Sequence, residues 1–203
     1  MDKRIIKHKF STHEINRDTE ILIVGTFNPD TAGNDADFFY SRKHNFLWEI
    51  LPEIFPKGTG TLKGKSVKEK LTFMHINHIN FIDLISEVEV ELGQENNYND
   101  KYLDSKVKVW YNIIDEIKKL KKIRMVCITR STLTDIPNMK GKVDEIKKHC
   151  EENNIQFHFL LSPSSGSSIS ISLAEEYKNY RKNNPNGNTI TYRKTKYKEL
   201  LNP

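Results

Sequence analysis

Ile21-Leu-Ile-Val24-Gly25-Thr-Phe-Asn-Pro-Asp30 is the segment from which the class of the fold is predicted. Its first four residues are apolar and β-rich, and the glycine, asparagine, proline and aspartate that follow are typical of a buried strand that feeds a loop. After this loop, Asn45 precedes apolar residues spaced along one helical face, and Pro56 with Gly58 ends the helix. Strand, long loop and helix in this order predict an α/β protein.

The alternation of strands and helices continues along the chain. We therefore predict one domain over residues 1–203, of α/β class, with three α/β/α layers around a central, mostly parallel sheet and a polar C-terminal tail from about residue 183. An apolar stretch at 81–85 adds to this pattern. The other predicted elements are helices over 67–73 (capped by Ser66), 107–120, 140–153 and 173–182, and strands at 125–128 and 157–161.

Composition restricts the class of protein. The chain has 32 Lys and Arg against 27 Asp and Glu, a net charge of +5, which suits a polyanionic partner. Cys127 and Cys150 are its two cysteines, too few for a cysteine-ligated iron–sulfur cluster and typical of a reducing cytoplasm. No stretch approaches the roughly 18 apolar residues of a membrane span. We expect a cytoplasmic monomer that is neither exported nor embedded in a membrane.

Three segments are expected at the carboxyl ends of the strands, where parallel α/β proteins bind ligands. The first contains Gly25-Thr-Phe-Asn-Pro-Asp30 and then Phe38-Phe-Tyr-Ser-Arg-Lys-His-Asn-Phe-Leu-Trp48. The second reads Asn77-His-Ile-Asn-Phe-Ile-Asp-Leu-Ile85, and the third reads Leu161-Ser-Pro-Ser-Ser-Gly166. No simple structural need produces the order of proline, tyrosine, asparagine and tryptophan in the first segment.

These segments resemble the three motifs of the uracil-DNA glycosylase superfamily, closest to its mismatch-specific uracil and hypoxanthine branches. The resemblance implies the glycosylase fold and a monofunctional DNA glycosylase of base excision repair. Such an enzyme flips a deaminated or mismatched base out of DNA and hydrolyses its N-glycosidic bond with a positioned water, without metal or cofactor. Lys43-His44 replaces the usual Pro-Arg, and Ser162 stands where many members have His, so the base and the water-activating residue stay open.

The resemblance also assigns candidate residues. The candidates for positioning water are Asn45, Asn28 and Asp30; Asn45 is equally suited to cap a helix, and the other two to form a turn. For the base, an aromatic platform at Tyr40 and an edge-reading carboxylate at Asp83 are implied. The full predicted base-binding set is Gly25, Thr26, Phe27, Tyr40, Asn80 and Asp83, and the predicted DNA-binding set is Ser162, Pro163, Ser164, Ser165, Gly166 and Ser167.

Two other functions remain open at this point. A glycosylase-fold module that has lost cleavage would bind DNA, as lesion-containing duplex or single strand, or would bind a modified base. A small-molecule α/β enzyme is disfavoured because the first loop has neither a dinucleotide-binding G-x-G-x-x-G nor a phosphate-loop lysine motif. His75 and His78 lack a third ligand at convincing spacing, so no metal site is predicted.

Overall fold

Strands and helices alternate in a computed structural model of the protein, which describes residues 2–55, 57, 60–164 and 171–201. The strands are β1 (Lys3–Lys7), β2 (Ile21–Gly25), β3 (Ile79–Asp83), β4 (Ile85–Glu91), β5 (Val107–Trp110), β6 (Met125–Ile128) and β7 (Gln156–Phe159). The helices are α1 (Leu47–Ile54), α2 (Val67–Ile76), α3 (Asp100–Asp104), α4 (Ile113–Lys119), α5 (Pro137–Glu152), α6 (Ile171–Asn183) and α7 (Thr189–Leu201).

Contacts divide the chain into two compact units. The sheet unit is made of Met1–Asp35, His78–Ile128 and Leu133–His158. The helical unit is made of Ala36–Asn77, Thr129–Thr132 and Phe159–Pro203. The single domain expected over residues 1–203 stays a prediction.

The central sheet has the strand order β3-β2-β6-β7. Strand β2 pairs in parallel with both β3 and β6, and every residue of β2, β3 and β6 is buried, as a near-continuous apolar run requires. Helices α4 and α5 bury one side each in the same apolar cluster as the sheet residues Leu22, Val24 and Val126. The predicted α/β class with a mostly parallel sheet is confirmed.

A second, antiparallel sheet of order β1-β4-β5 belongs to the same unit. Strand β1 pairs with β4 in uninterrupted register from Lys3 opposite Glu91 to Lys7 opposite Glu87, so lysines face glutamates across the ladder. Each such cross-strand pair of opposite charge is favourable. The sheet extends the N-terminus to His8 beside β4, where the backbone N–H of His8 donates to the carbonyl of Ser86 at 2.8 Å.

The helical unit is built from α1, α2, α6 and α7, with α1 packed against α7. The predicted cap of α2 is confirmed: the Ser66 side chain accepts from the backbone of Glu69, and the Glu69 carboxylate accepts from the backbone of Ser66. Trp48 is 1% exposed, and its indole N–H donates to the carbonyl of Phe39 at 2.7 Å. Three aromatic residues of the first predicted motif, Phe38, Phe39 and Trp48, are therefore part of the core of this unit.

One expectation about secondary structure is wrong. The helix predicted over 107–120 begins only at Ile113, because Val107–Trp110 pairs with β4 as an antiparallel strand. The polar tail from about residue 183, for which the sequence predicts no particular structure, contains the thirteen-residue helix α7, whose residues Tyr192, Tyr197 and Leu201 are buried. Within the described residues, no helix is long and apolar enough to cross a membrane.

Candidate active site

The carboxyl ends of β2 and β3 lie side by side. Gly25, the last residue of β2, is in register with Asp83, the last residue of β3. The backbone N–H of Leu84 donates to the carbonyl of Gly25 at 2.9 Å, and that of Ile85 donates to the carbonyl of Thr26 at 3.1 Å. Two of the segments that carry the resemblance, the one after β2 and the one at the end of β3, therefore meet at this edge of the sheet.

The residues that follow β2 are held by the N-terminal segment. The backbone N–H of Lys9 donates to the carbonyl of Asn28, and the backbone N–H of Asp30 donates to the carbonyl of Lys7, both at 2.8 Å. His8 and Pro29 form an isolated antiparallel bridge between these two bonds. This pairing brings the side chain of His8 to the end of the central sheet.

Asn28, Asp83 and His8 form one hydrogen-bonded network. The Asn28 amide Nδ2 donates to Asp83 Oδ2 at 2.6 Å, and His8 Nε2 lies 2.8 Å from the same oxygen. The backbone N–H of Phe10 donates to His8 Nδ1 at 3.1 Å. Since Nδ1 accepts, the ring proton belongs on Nε2, and the histidine donates to the carboxylate.

Aromatic rings enclose this network. Asp83 and His8 are 1% and 2% exposed. The His8 ring lies 5.5 Å from the ring of Tyr111 and 5.9 Å from that of Phe27, centroid to centroid. Burial, together with the charge of Asp83, raises the pKa of the Tyr111 phenol. In such a poorly solvated environment hydrogen bonds to a carboxylate are strong, so the network is rigid.

The network orients the Asn28 amide. Because Nδ2 is turned towards Asp83, the amide oxygen Oδ1 must point away from the carboxylate, and no hydrogen bond to it is found within the described part of the chain. Asn28 is half-buried, so this residue is in part accessible to solvent. An acceptor held in this way can orient a water molecule or accept from an N–H group of a base.

A second histidine–amide pair lies deeper along β3. Asn80 is 3% exposed, and its Oδ1 accepts from the backbone N–H of Phe81 at 2.9 Å and lies 2.7 Å from His13 Nε2. The strand partner of Asn80 is Leu22, three residues before the end of β2. Its amide oxygen is thus engaged within the fold, and its predicted part in base binding stays a prediction.

The pH dependence of stability should reveal His13. Burial lowers the pKa of His13 below its ordinary value of 6.5, and the neighbouring His8 lowers it further. The unfolded chain therefore binds this proton more readily, so the free energy of unfolding should fall as the pH drops through about 6.5. In His13→Gln, which keeps a donor for Asn80, denaturant unfolding at pH 7 and pH 5 should show a smaller difference. The same difference in both proteins would contradict this assignment.

Asp30 stands apart from the network. Asp30 is exposed, and its backbone N–H donates to the carbonyl of Lys7. Gly25 and Thr26 contribute backbone carbonyls that hold the residues after β3, and Phe27 packs partly against the core. Of the three candidates for positioning water, Asn28 alone is joined to a buried carboxylate.

In the helical unit, Tyr40 is held in a strained backbone conformation. Its φ of 56° lies in the left-handed region, which is costly for a residue with a side chain and is concentrated at functional sites. The phenol oxygen lies 3.0 Å from Thr129 Oγ1. On either side, the buried Lys70 Nζ donates to Asp37 Oδ1 and Ser41 Oγ, both at 2.9 Å. The lysine thus clamps the loop that carries the predicted aromatic platform.

Asn45 acts locally as a turn former. Its Oδ1 accepts from the backbone N–H of Leu47 at 3.0 Å, at the start of α1. Its backbone pairs with Ser164 in an isolated antiparallel bridge, and the N–H of Phe46 donates to the carbonyl of Pro163 at 2.9 Å. The N-cap of α1 is Phe46, which makes no side-chain capping bond, so Asn45 forms a turn just before the helix and does not occupy its predicted N-cap position. The first and third predicted motifs are bonded to each other within this unit.

The predicted DNA-binding turn is described in part. The carbonyl of Ser162 accepts from the guanidinium Nε of the buried Arg193 at 2.8 Å, and the carbonyl of Leu161 accepts from the phenol of Tyr197 at 2.7 Å. Pro163 is buried and Ser164 is half-buried. Ser165, Gly166 and Ser167 lie outside the described residues.

The two cysteines are buried and free. Burial raises the pKa of Cys127 and raises that of Cys150 to about 11, so neither thiol is ionised at neutral pH. A nucleophilic cysteine is not suggested by these environments. Within the residues that the structure describes, no group of three His, Cys, Asp or Glu side chains is placed to hold a metal ion.

Sequence reasoning missed His8, Lys70 and Arg193. His8 belongs to a charged N-terminal segment without a motif, Lys70 to a short predicted helix, and Arg193 to the polar C-terminal tail. Each of the three side chains has a hydrogen-bond partner at least 29 positions away in the sequence. His8 and Asp83 are 75 positions apart. Local patterns carry no signal for such pairs.

Comparison with known proteins leaves the geometry as the basis for a functional assignment. No protein-family model matches the chain, and no curated protein is significantly similar to it.

Proposed function

We propose that this protein is a monofunctional DNA glycosylase that hydrolyses the N-glycosidic bond of a deaminated or mismatched base, such as uracil or hypoxanthine. The observation that carries the proposal is the Asn28 amide, turned by the buried Asp83–His8 pair at the carboxyl end of β2 and β3. This places a polar acceptor where parallel α/β proteins bind their ligands. It also agrees with the motif resemblance on Asn28 and Asp83.

The proposed chemistry suits an amide rather than a strong base. Breaking an N-glycosidic bond passes through an oxocarbenium-like sugar, which demands little of its nucleophile. Asn28 Oδ1 would accept from a water and hold it in line with the sugar carbon, with no proton transferred to the asparagine. The oxygen of the water forms a bond to the sugar carbon as the C–N bond breaks, and the base leaves with that electron pair. The water then loses one proton to solvent, which leaves a hydroxyl on the sugar, and the departing base takes up a proton from solvent. Neither a metal nor a redox cofactor is required.

Asp83 would act as a positioning residue in this scheme. Its carboxylate is 1% exposed and accepts from both Asn28 and His8 at one oxygen. A buried carboxylate that two donors already satisfy is better suited to orienting an amide than to reading a base edge. This shifts the role implied by the resemblance from base recognition towards support of Asn28.

The helical unit supplies further proposed contacts to DNA. Tyr40 is proposed to stack on a base, an interaction worth about 1–3 kcal/mol per base. The turn at Ser162, Pro163 and Ser164 is proposed to contact phosphate through backbone N–H groups and hydroxyls. Lesion-containing DNA is thus the proposed partner, and the chain is proposed to act as a monomer. The proposed location is the cytoplasm, which keeps thiols such as those of Cys127 and Cys150 reduced.

One observation favours the alternative of a module that binds DNA or a modified base without cleaving it. The Asp83 carboxylate already accepts from two donors at Oδ2, and Asp30, the nearest other acid in the segment, is exposed and outside the network. A site that has no free general base would release bases slowly.

A panel of lesions separates these functions. Duplex and single-stranded oligonucleotides containing uracil, hypoxanthine, xanthine or a T:G mismatch are incubated with excess protein, and abasic sites are revealed by alkaline cleavage. The proposal expects release of at least one of these bases, with undamaged DNA left intact. Tight binding without release from any member of the panel would support the binding module and overturn the glycosylase.

A further inference from the structure

Positive charge is concentrated at the C-terminus of the chain. Residues 171–201, which form α6, α7 and their connection, contain seven Lys or Arg against three Glu, a net charge of +4. The whole chain has a net charge of +5. The cations are Lys178, Arg181, Lys182, Arg193, Lys194, Lys196 and Lys198, and the acids are Glu175, Glu176 and Glu199. The basic character of the protein therefore lies mostly in this helical hairpin.

Several of these cations are not neutralised within the fold. Arg181, Lys182 and Lys198 are exposed, and no ion pair or hydrogen bond of their side chains is found within the described part of the chain. The remaining lysines are paired: Lys178 with Glu175, Lys194 with Glu53, and Lys196 with Glu176 and Glu199. On α6, Arg181 and Lys182 follow Lys178 by three and four residues, so all three lie on one side of the helix.

The hairpin presents these cations on a fixed scaffold. The rings of Tyr177 and Tyr180 lie 5.1 and 5.2 Å from the ring of Tyr192, which packs α6 against α7. The connection is tight: a Cβ on Gly187 would lie 2.8 Å from a ring carbon of Tyr180. Asn188 caps α7, with its Oδ1 accepting from two backbone N–H groups of the first turn. The two helices that carry the cations are therefore packed against each other within the chain itself.

The buried side of α7 holds the predicted DNA-binding turn. Arg193 and Tyr197 are four residues apart, which is about one helical turn. Arg193 donates to the backbone carbonyl of Ser162, and Tyr197 donates to that of Leu161. Burial lowers the pKa of Arg193, yet a guanidinium stays charged at neutral pH. Within the helical unit, the same helix therefore carries an exposed lysine and supports the segment at Ser162–Ser164.

We propose that the α6–α7 hairpin binds the phosphate backbone of duplex DNA through Arg181, Lys182 and Lys198. This inference rests on the proposed function, which names DNA as the partner, and it adds the surface that contacts the DNA backbone. Arginine and lysine side chains on ordered helices contact phosphates without reading bases. Each phosphate that is neutralised releases a counterion, so binding through this surface is steeply dependent on salt.

The test compares two triple variants of equal charge. In Arg181→Ala/Lys182→Ala/Lys198→Ala the hairpin cations are removed, and in Lys68→Ala/Lys101→Ala/Lys121→Ala three exposed lysines are removed elsewhere. Binding of a fluorescent undamaged duplex is measured by anisotropy between about 50 and 300 mM salt. Affinity of the hairpin variant should fall on the order of 10- to 100-fold near 0.1 M salt, and the slope of log K against log salt should shrink by about 2–3. The control variant should keep the wild-type slope.

The outcomes distinguish this inference from the proposed function. Four outcomes would each overturn the proposed hairpin surface. They are equal losses of DNA affinity in both triple variants, an unchanged salt slope in the hairpin variant, tighter binding to a matched RNA duplex than to DNA, and no DNA binding by the wild-type protein. Base release by saturating protein is measured separately, and it should survive in the hairpin variant. Loss of affinity in the hairpin variant of a protein that releases no base would uphold the surface while the glycosylase fails. If the hairpin variant binds DNA as tightly as the wild-type protein and the wild-type protein releases a base, the glycosylase is upheld and the hairpin surface fails.

Discussion

Replacing Asn28 with alanine is expected to lower the single-turnover rate constant of base release by about 10²- to 10³-fold, the usual cost of removing one preorganised polar group from an active site. The physical reason is that the amide oxygen loses its hold on the attacking water, while the surfaces that contact DNA remain. The equilibrium constant for duplex binding should therefore change little, because the interaction acts in the transition state. The measurement is base release with excess protein over the preferred lesion duplex.

Two other asparagine variants serve as controls. Asn179→Ala alters an exposed position on α6 and should leave the rate constant unchanged. Asn45→Ala removes the acceptor for the N–H of Leu47, so it should mainly lower the stability of the helical unit, by about 1 kcal/mol as for a lost helix-terminal acceptor. If base release falls further in Asn45→Ala than in Asn28→Ala, Asn45 rather than Asn28 is the residue that positions the water.

Asp83→Ala is expected to lower the free energy of unfolding by about 2–6 kcal/mol, because two donors lose a charged acceptor and each donor left unsatisfied costs about 1–3 kcal/mol. These donors are the Nε2–H group of the buried His8 and the Nδ2 group of the half-buried Asn28. The measurement is denaturant unfolding at neutral pH. Asp18→Ala is the matched control, because Asp18 forms an exposed ion pair with Lys122 and such pairs add little.

A double variant gives this prediction its sharper form. When His8→Leu is combined with Asp83→Ala, one of the two stranded donors is removed as well, so the double variant should be less destabilised than the sum of the single variants. Strict additivity would show that the two side chains do not interact as the 2.8 Å distance implies. A loss below about 1 kcal/mol for Asp83→Ala would show that water reaches the site and replaces the carboxylate.

The parts of the fold that the sequence predicts well are those with a strong local pattern. Ile21–Gly25 is a fully buried strand, and α1 and α2 begin close to their expected capping residues. For Val107–Trp110 the sequence pattern predicts a helix, because its apolar residues match the helical spacing of the residues after it. Its pairing with β4 decides otherwise, since backbone bonds to a neighbouring strand outweigh a four-residue pattern.

Helix α7 escaped prediction for a related reason. Its buried residues include Arg193 beside Tyr192, so the apolar stripe is interrupted by a charge, and its exposed side is rich in lysine. The arginine is tolerated inside because the carbonyl of Ser162, 31 residues away, accepts from it. A pattern of hydrophobicity has no means of reporting that partner.

The sequence by itself determined the α/β class, the buried strand that ends at Gly25, and the segments from which polar side chains meet at the end of the parallel strands, because each of these follows from residues close together in the chain. Only the tertiary structure decided which of these side chains work together. Asn28 and Asp83 are 55 residues apart, and His8 joins them from the N-terminal strand. Such partners are selected by strand register and by the need to satisfy buried polar atoms, which are properties of the folded chain as a whole.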